Sequence, residues 1–359
     1  MDLLVGSDSQ SRNDILSPDT PATVLLKERY PVEFTASTGE YFRIWIVNLA
    51  LTVLTLGIYS AWAKVRKKRY FYAHTRIYGE TFEYRANPIP ILKGRLIALG
   101  ALALFYGVGQ FAPSFQWVFF VAAIFIVPWL LVRSMAFNAY NTAYRNIRLH
   151  FRGTYGACLK LLLIWGPVAV LTGGLGYPYL KIRLVRFAAE NHYYGATRFA
   201  IGDITNLFHH IYVKAFGLGF LLVVGAIALG IGSFGKAPLD RPDLVLTVGG
   251  YVGYLLIFAF IRARIANATF NNLTLGPVRF ECKLGALHLF WLYLVNIIAI
   301  IVTLGLATPW AVVRTMRYRA EQMTLLAADG LDGFVAAESA PVSAAGEEVG
   351  EMFDVDIGV

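Results

Sequence analysis

Three stretches of the sequence carry an aromatic residue followed four and seven positions later by arginines: Trp62, Arg66 and Arg69; Tyr179, Arg183 and Arg186; Trp310, Arg314 and Arg317. On a helix this spacing places the ring and both guanidiniums on one face. A guanidinium presents a planar fork of donors that matches phosphate oxygens in pairs, so each face has the chemistry to hold an anionic headgroup or an anionic substrate. The same residues also suit plain anchoring at a membrane boundary, with the ring in the interfacial belt and arginine on the cytoplasmic side. Pro128-Trp129 with Arg133 is a partial fourth instance. Asn48 and Asn296 lie within apolar stretches, each seven residues before a Thr-Leu-Gly triplet. An amide in hydrocarbon must find partners, so these are the intramembrane polar candidates, suited to bridging, backbone capping or a permeation path.

Other chemistry is sparse. Cys158 and Cys282 have no Cys or His neighbour at metal spacing, and the six histidines show neither His-x3-His nor His-Glu-x2-His, so no metal or other cofactor is expected. Glu190, His192 and Asp203 are the nearest approach to an acid/base group, without specific spacing, and the chain is not expected to be an enzyme. The apolar runs hold no Asp or Glu, which argues against coupling to protons or cations through a buried carboxylate.

The elements that must position these residues are membrane segments. Of 359 residues, 57% are hydrophobic and only 15% charged, against roughly 25% charged in soluble domains. Six runs contain no charged residue: Ile44–Ala63, Leu96–Val132, Leu161–Leu180, Ala215–Gly235, Leu244–Ile261 and Leu284–Val313. About 20 apolar residues of helix cross a bilayer core, so each run is long enough to enter one. The net charge of +9 combines an acidic end, with eight carboxylates and no basic residue after Leu326, and a remainder at +17. Because the Lys and Arg residues flank apolar runs, lipid headgroups rather than nucleic acid are the expected partner.

The chain also repeats itself. Asn48, Thr55-Leu56-Gly57, Trp62, Arg66 and Arg69-Tyr70 recur 248 residues later as Asn296, Thr303-Leu304-Gly305, Trp310, Arg314 and Arg317-Tyr318, and a degenerate middle copy keeps Gly174, Tyr179, Arg183 and Arg186. With Phe34, Gly39, Tyr41-Phe42 and Ile58-Tyr59, this pattern resembles the YjgN-like family, a multi-pass bacterial inner-membrane group built around a domain of unknown function. The resemblance implies a location, the bacterial cytoplasmic membrane, and no catalytic residues.

The expected fold class is an all-α polytopic membrane protein with short cytoplasmic β-strands and about 2.5 internal repeats. Repeat units start near residues 34, 151 and 280, with helical hairpins at about 96–132 and 213–261. Of the six to seven apolar segments, three are Gly-broken. Those three, 44–63, 161–180 and 284–313, either span or re-enter. Re-entry puts 30 of the 32 basic residues on one face, and single spans only 19, so the positive-inside rule favours re-entry. Segments such as Val32–Thr35 and Thr81–Tyr84 read as strands that pair within one unit, as do 147–151 with 198–201 and 278–281 with 331–334. The membrane domain is expected over 30–334, between disordered tails at 1–29 and 335–359, with the basic face and both termini cytoplasmic. Transport or lipid handling of an anionic or amphipathic molecule is the expected function, with a non-catalytic scaffold as the alternative.

Overall fold

The computed structural model describes residues 28–232, 242–327, 330–335 and 338. Most of the two expected tails, and the loop expected between 235 and 242, lie outside these residues.

Five times the chain runs strand, helix, helix, strand. The first unit is β1 (Glu28–Phe34), α1 (Thr38–Leu54), α2 (Ser60–Ala73) and β2 (Thr75–Ile77). The second is β3 (Glu80–Tyr84), α3 (Pro88–Phe111), α4 (Trp117–Tyr140) and β4 (Thr142–Tyr144). The third is β5 (Ile147–Phe151), α5 (Tyr155–Leu171), α6 (Tyr177–Glu190) and β6 (His192–Tyr194). The fourth is β7 (Thr197–Ile201), α7 (Thr205–Gly232), α8 (Pro242–Asn271) and β8 (Leu273–Leu275). The fifth is β9 (Val278–Cys282), α9 (Ala286–Val302), α10 (Thr308–Glu321) and β10 (Met323–Ala327).

Neighbouring units are joined by two-residue hairpin turns. Tyr78-Gly79 and Arg145-Asn146 have positive φ at both positions, while Gly195-Ala196 and Gly276-Pro277 have it at the first only. These are the two backbone patterns whose twist matches that of the flanking strands. Within each unit the two strands also pair, and β10 pairs with β1, so ten antiparallel strands close into one barrel. Alternation then sorts the side chains. Tyr30, Val32, Ile77, Tyr144, Tyr194, Leu275 and Leu325 pack inside with Phe82, Leu149, Phe199 and Phe280. One end of the barrel is plugged by a helical turn at 331–335, whose Leu331, Phe334 and Val335 join that core. The hairpin turns surround the plug: Arg145 pairs with Asp332 at 2.6 Å, and Glu338 accepts the backbone N–H of Ala196 at 2.7 Å and of Thr197 at 3.2 Å.

The helix pairs rise from the other end. In every unit the residue after the first strand donates its N–H to the residue that ends the returning helix: Thr35 to His74, Arg85 to Asn141, Arg152 to Asn191, Gly202 to Asn272 and Lys283 to Gln322, at 2.9 to 3.0 Å. Each helix hairpin therefore starts and finishes at one level. Among the described residues, four helices are long and apolar enough to cross a membrane, and they belong to the second and fourth units. In the other three units the outgoing helices α1, α5 and α9 have 17 residues each, about 25 Å, and the chain turns back at once. The turn is the same each time. Thr55, Thr172 and Thr303 each donate a hydroxyl to the carbonyl four residues earlier and accept the N–H four residues later. Positive φ follows at Leu56-Gly57, Gly173-Gly174 and Leu304-Gly305.

An all-α class with short accessory strands is thus overturned by the closed ten-stranded barrel. The expected strand partners change too. Residues 32–34 pair with 75–77 rather than with 81–84, residues 147–151 with 142–144 and 192–194 rather than with 198–201, and residues 278–282 with 273–275 and 323–326 rather than with 331–334, which are helical. The physical reason is that an isolated strand pair leaves two open edges, whereas hairpin turns between units let every edge be satisfied by the next unit. The element order correspondingly recurs five times, not two and a half.

Hydrogen bonds from Arg145 and Tyr78 hold the Asp332 carboxyl below the usual carboxylate range. Its contribution is complete at neutral pH and is lost as pH falls below about 4 and through the depressed value. Limited proteolysis should find the plug released first in acid, and released at pH 7 in Asp332→Asn. Replacing Glu338 with Ala, which strands two N–H groups, should lower unfolding free energy by about 1.5–3 kcal/mol in detergent melts.

Candidate functional site

Register against the barrel shows how the arginine faces are placed. Counted back from the first residue of the following strand, an aromatic residue stands thirteen positions away and an arginine nine positions away in all five returning helices. The pairs are Trp62 and Arg66, Trp129 and Arg133, Tyr179 and Arg183, Phe260 and Arg264, and Trp310 and Arg314. Nine helical residues rise about 13 Å, so the five arginines form a girdle roughly that far above the barrel end. Arg133, Arg264 and Arg314 lie over their own ring at 5.9, 5.7 and 5.0 Å, while Arg183 lies 5.5 Å over Trp165. Cation–π contact keeps such guanidiniums against the helix surface. The Phe260 and Arg264 pair escapes a sequence reading that searches for Trp or Tyr; counting from the strand would have found it.

The second arginine of each motif is placed differently. Arg69 donates to the carbonyls of Tyr84 and Ala86 at 3.2 and 3.0 Å, and Arg317 to that of Ala36 at 3.0 Å. In both cases the acceptors lie at the end of the next unit's first strand or in the loop that follows it. Arg186 approaches Asp203 in the corresponding loop at 3.6 Å. Asn267, at the same register in α8, both donates to Leu284 O and accepts from Leu284 N, at 3.0 and 2.9 Å. Position six before the strand is therefore a clasp between units, built by Arg three times and Asn once, with Ala136 in the remaining helix. Sequence reading grouped Asn267 with turn residues and Arg69, Arg186 and Arg317 with ligands.

Both intramembrane asparagines are buried, at 7% and 6% exposure. Asn296 is satisfied by Ala311 O at 3.3 Å, Thr315 Oγ1 at 3.0 Å and Arg314 at 3.5 Å. The side-chain oxygen of Asn48 has no hydrogen-bond partner among the described residues. A cleft of about 320 Å³ is lined by Tyr59, Trp62, Val65, Arg66, Arg69 and Pro88, between α2 and the start of α3.

The acid/base candidates are engaged in local structure. Glu190 faces Arg186 and Arg198, at 3.8 and 3.4 Å, and His192 Nδ1 sits 2.6 Å from Ala188 O. Asp203 accepts from Thr205 N, and that hydrogen bonding, helped by Arg186, holds its carboxyl below the ordinary range. Among the described residues, no three His, Cys, Asp or Glu side chains gather as metal ligands.

Comparison with known proteins adds a family. The family described as "Bacterial protein of unknown function (DUF898)" matches residues 29–352. The chain is 25% identical over 333 residues to the inner membrane protein YjgN of Salmonella typhimurium, covering 77% of this chain and 83% of that one. The protein of the same name from Escherichia coli O157:H7 is 29% identical over 116 residues, 32% of this chain and 29% of the relative. That of Escherichia coli K12 is 52% identical over 48 residues, 13% and 12% of the two chains. No solved structure matches.

The two kinds of arginine should separate by stability. Arg69→Gln and Arg317→Gln each remove a charged donor from a backbone carbonyl and should cost about 1–2 kcal/mol in thermal unfolding. Arg66→Gln should change it by no more than about 0.5 kcal/mol, as for other exposed positions.

Proposed function

The chain belongs to the DUF898 family of bacterial proteins and is an integral protein of the inner membrane, and from that premise we propose that it handles an anionic or amphipathic molecule, in the first instance phospholipid, moving it between the two leaflets. The observation that carries this reading is the mismatch between the two kinds of helix hairpin. The arginine girdle suits the headgroup level. Beyond it the short hairpins continue for only nine residues, from Arg66 back to Gly57 and from Arg314 back to Gly305, about 13 Å and hence near the bilayer midplane. Their tips are apolar: Leu56 is 96% exposed and Leu304 94%.

A leucine at positive φ is strained by about 1–2 kcal/mol, and glycine would relieve it. Hydrocarbon around the tip supplies a reason for leucine there. Four long helices cross the bilayer while three wedges stop halfway, an arrangement that thins and disorders the leaflet beside α3, none of whose residues is buried against protein. The barrel, the basic face and both termini are placed in the cytoplasm on the positive-inside rule.

A non-catalytic scaffold is the second reading, favoured by the filled and plugged barrel, which offers its polar outer wall for partners. Proteoliposomes with fluorescent phosphatidylglycerol separate the two. Lipid handling predicts reduction of inner-leaflet label by dithionite well above protein-free vesicles, and Leu56→Asp combined with Leu304→Asp should abolish it. Rates equal to empty vesicles, with lipid and with small anions alike, would leave the scaffold.

A further inference from the structure

The three short hairpins carry equivalent side chains at one position, seven residues before the tip threonine: Asn48, Trp165 and Asn296. In two units this side chain takes the girdle arginine. Asn296 accepts Arg314, and Trp165 lies under Arg183 while stacking with Tyr179 at 5.7 Å. The first unit differs. Its Asn48 is 93% buried, yet the amide oxygen has no partner, and Arg66 makes no hydrogen bond, ion pair or ring contact among the described residues. Arg66 instead faces the 320 Å³ cleft. Arg69, fixed by two backbone carbonyls, lines the same cleft. Tyr59 and Trp62, stacked 6.2 Å apart, form an apolar wall. No carboxylate lines it.

We propose that this cleft is a binding site for the phosphate of an anionic phospholipid headgroup, with Arg66 as the principal ligand, Arg69 as a fixed second charge and the Tyr59–Trp62 wall against the glycerol. The inference rests on the lipid reading above and deepens it, because it assigns one occupied position to a molecule whose five units otherwise satisfy their girdle arginines internally. Among the described residues, Arg66 does not meet the amide at the position where its counterpart Arg314 does, which leaves its guanidinium to bind. Its planar fork matches a phosphodiester at the depth where the bilayer places one.

The test uses the full protein in neutral detergent with dihexanoyl phosphatidylglycerol, read by native mass spectrometry and titration. Arg66→Gln should weaken binding about tenfold or more, with the melting temperature unchanged, whereas Arg183→Gln and Arg314→Gln should bind as the unmodified protein does. Arg66→Lys, which keeps the charge but loses the fork, should fall between. Inorganic phosphate that displaces the lipid at equal concentration would assign the site to the free anion, and failure to displace would assign it to the lipid; both keep the phosphate site. Binding by Arg66→Gln within twofold of the unmodified protein, or equal loss in Arg314→Gln, overturns it. The readout is independent of flux: a protein without flux that still needs Arg66 for binding keeps this site, and one with flux whose binding ignores Arg66 lacks it.

Discussion

Closure of the barrel, where Glu28 to Pro31 pair with Thr324 to Ala327, is the contact on which the remaining architecture depends. Strands of three to seven residues are too short to persist singly or in pairs. Joined in a ring of ten they leave no edge, and their inward alternate residues fill the interior. Closure also fixes the ends of all five helix hairpins at one level. That permits helices as sparsely packed as α3, which buries no residue of its own, to hold a defined position, since orientation comes from the base and lipid supplies the surroundings.

Once the ring sets a common floor, helix length alone decides depth. Seventeen residues out and fourteen back make hairpins about 25 Å tall, whereas the four helices of the second and fourth units are long and apolar enough to cross a bilayer. Irregular backbone at membrane depth is tolerated only when its polar groups are satisfied. The threonine at each short tip does this with one hydroxyl, donating to the outgoing helix and accepting from the returning one. The clasps at Arg69, Arg317 and Asn267 then tie three returning helices to the loop after the next unit's first strand, so the ring is bonded at two heights in those places.

Much of this was readable in residue order where the physics is local. Charge-free runs mark the membrane segments, Thr-Leu-Gly marks the tips, and the recurring aromatic and arginine spacing marks the returning helices. Besides β10, the three-residue strands 75–77, 142–144, 192–194 and 273–275 were not read, because three residues cannot show a period of two. Tyr-Gly, Arg-Asn, Gly-Ala and Gly-Pro beside them were the available signal, since each is a two-residue turn type. Residues 331–334, expected as the last strand, form a helical plug, since β10 already fills the last place in the ring.

The amino-acid sequence by itself determined that this is a membrane protein, which stretches are apolar and charge-free, where they break and which arginines accompany them. All of these follow from apolar transfer and from spacing along one helix. Tertiary structure alone decided that the strands form one closed barrel and that position six before the returning strand clasps a neighbour in four of the five units. It also decided that Arg66 and Asn48 are unpartnered while their counterparts Arg314 and Asn296 meet. The reason is physical: identical motifs have identical local preferences, and only the neighbouring unit determines which of their polar groups are already satisfied.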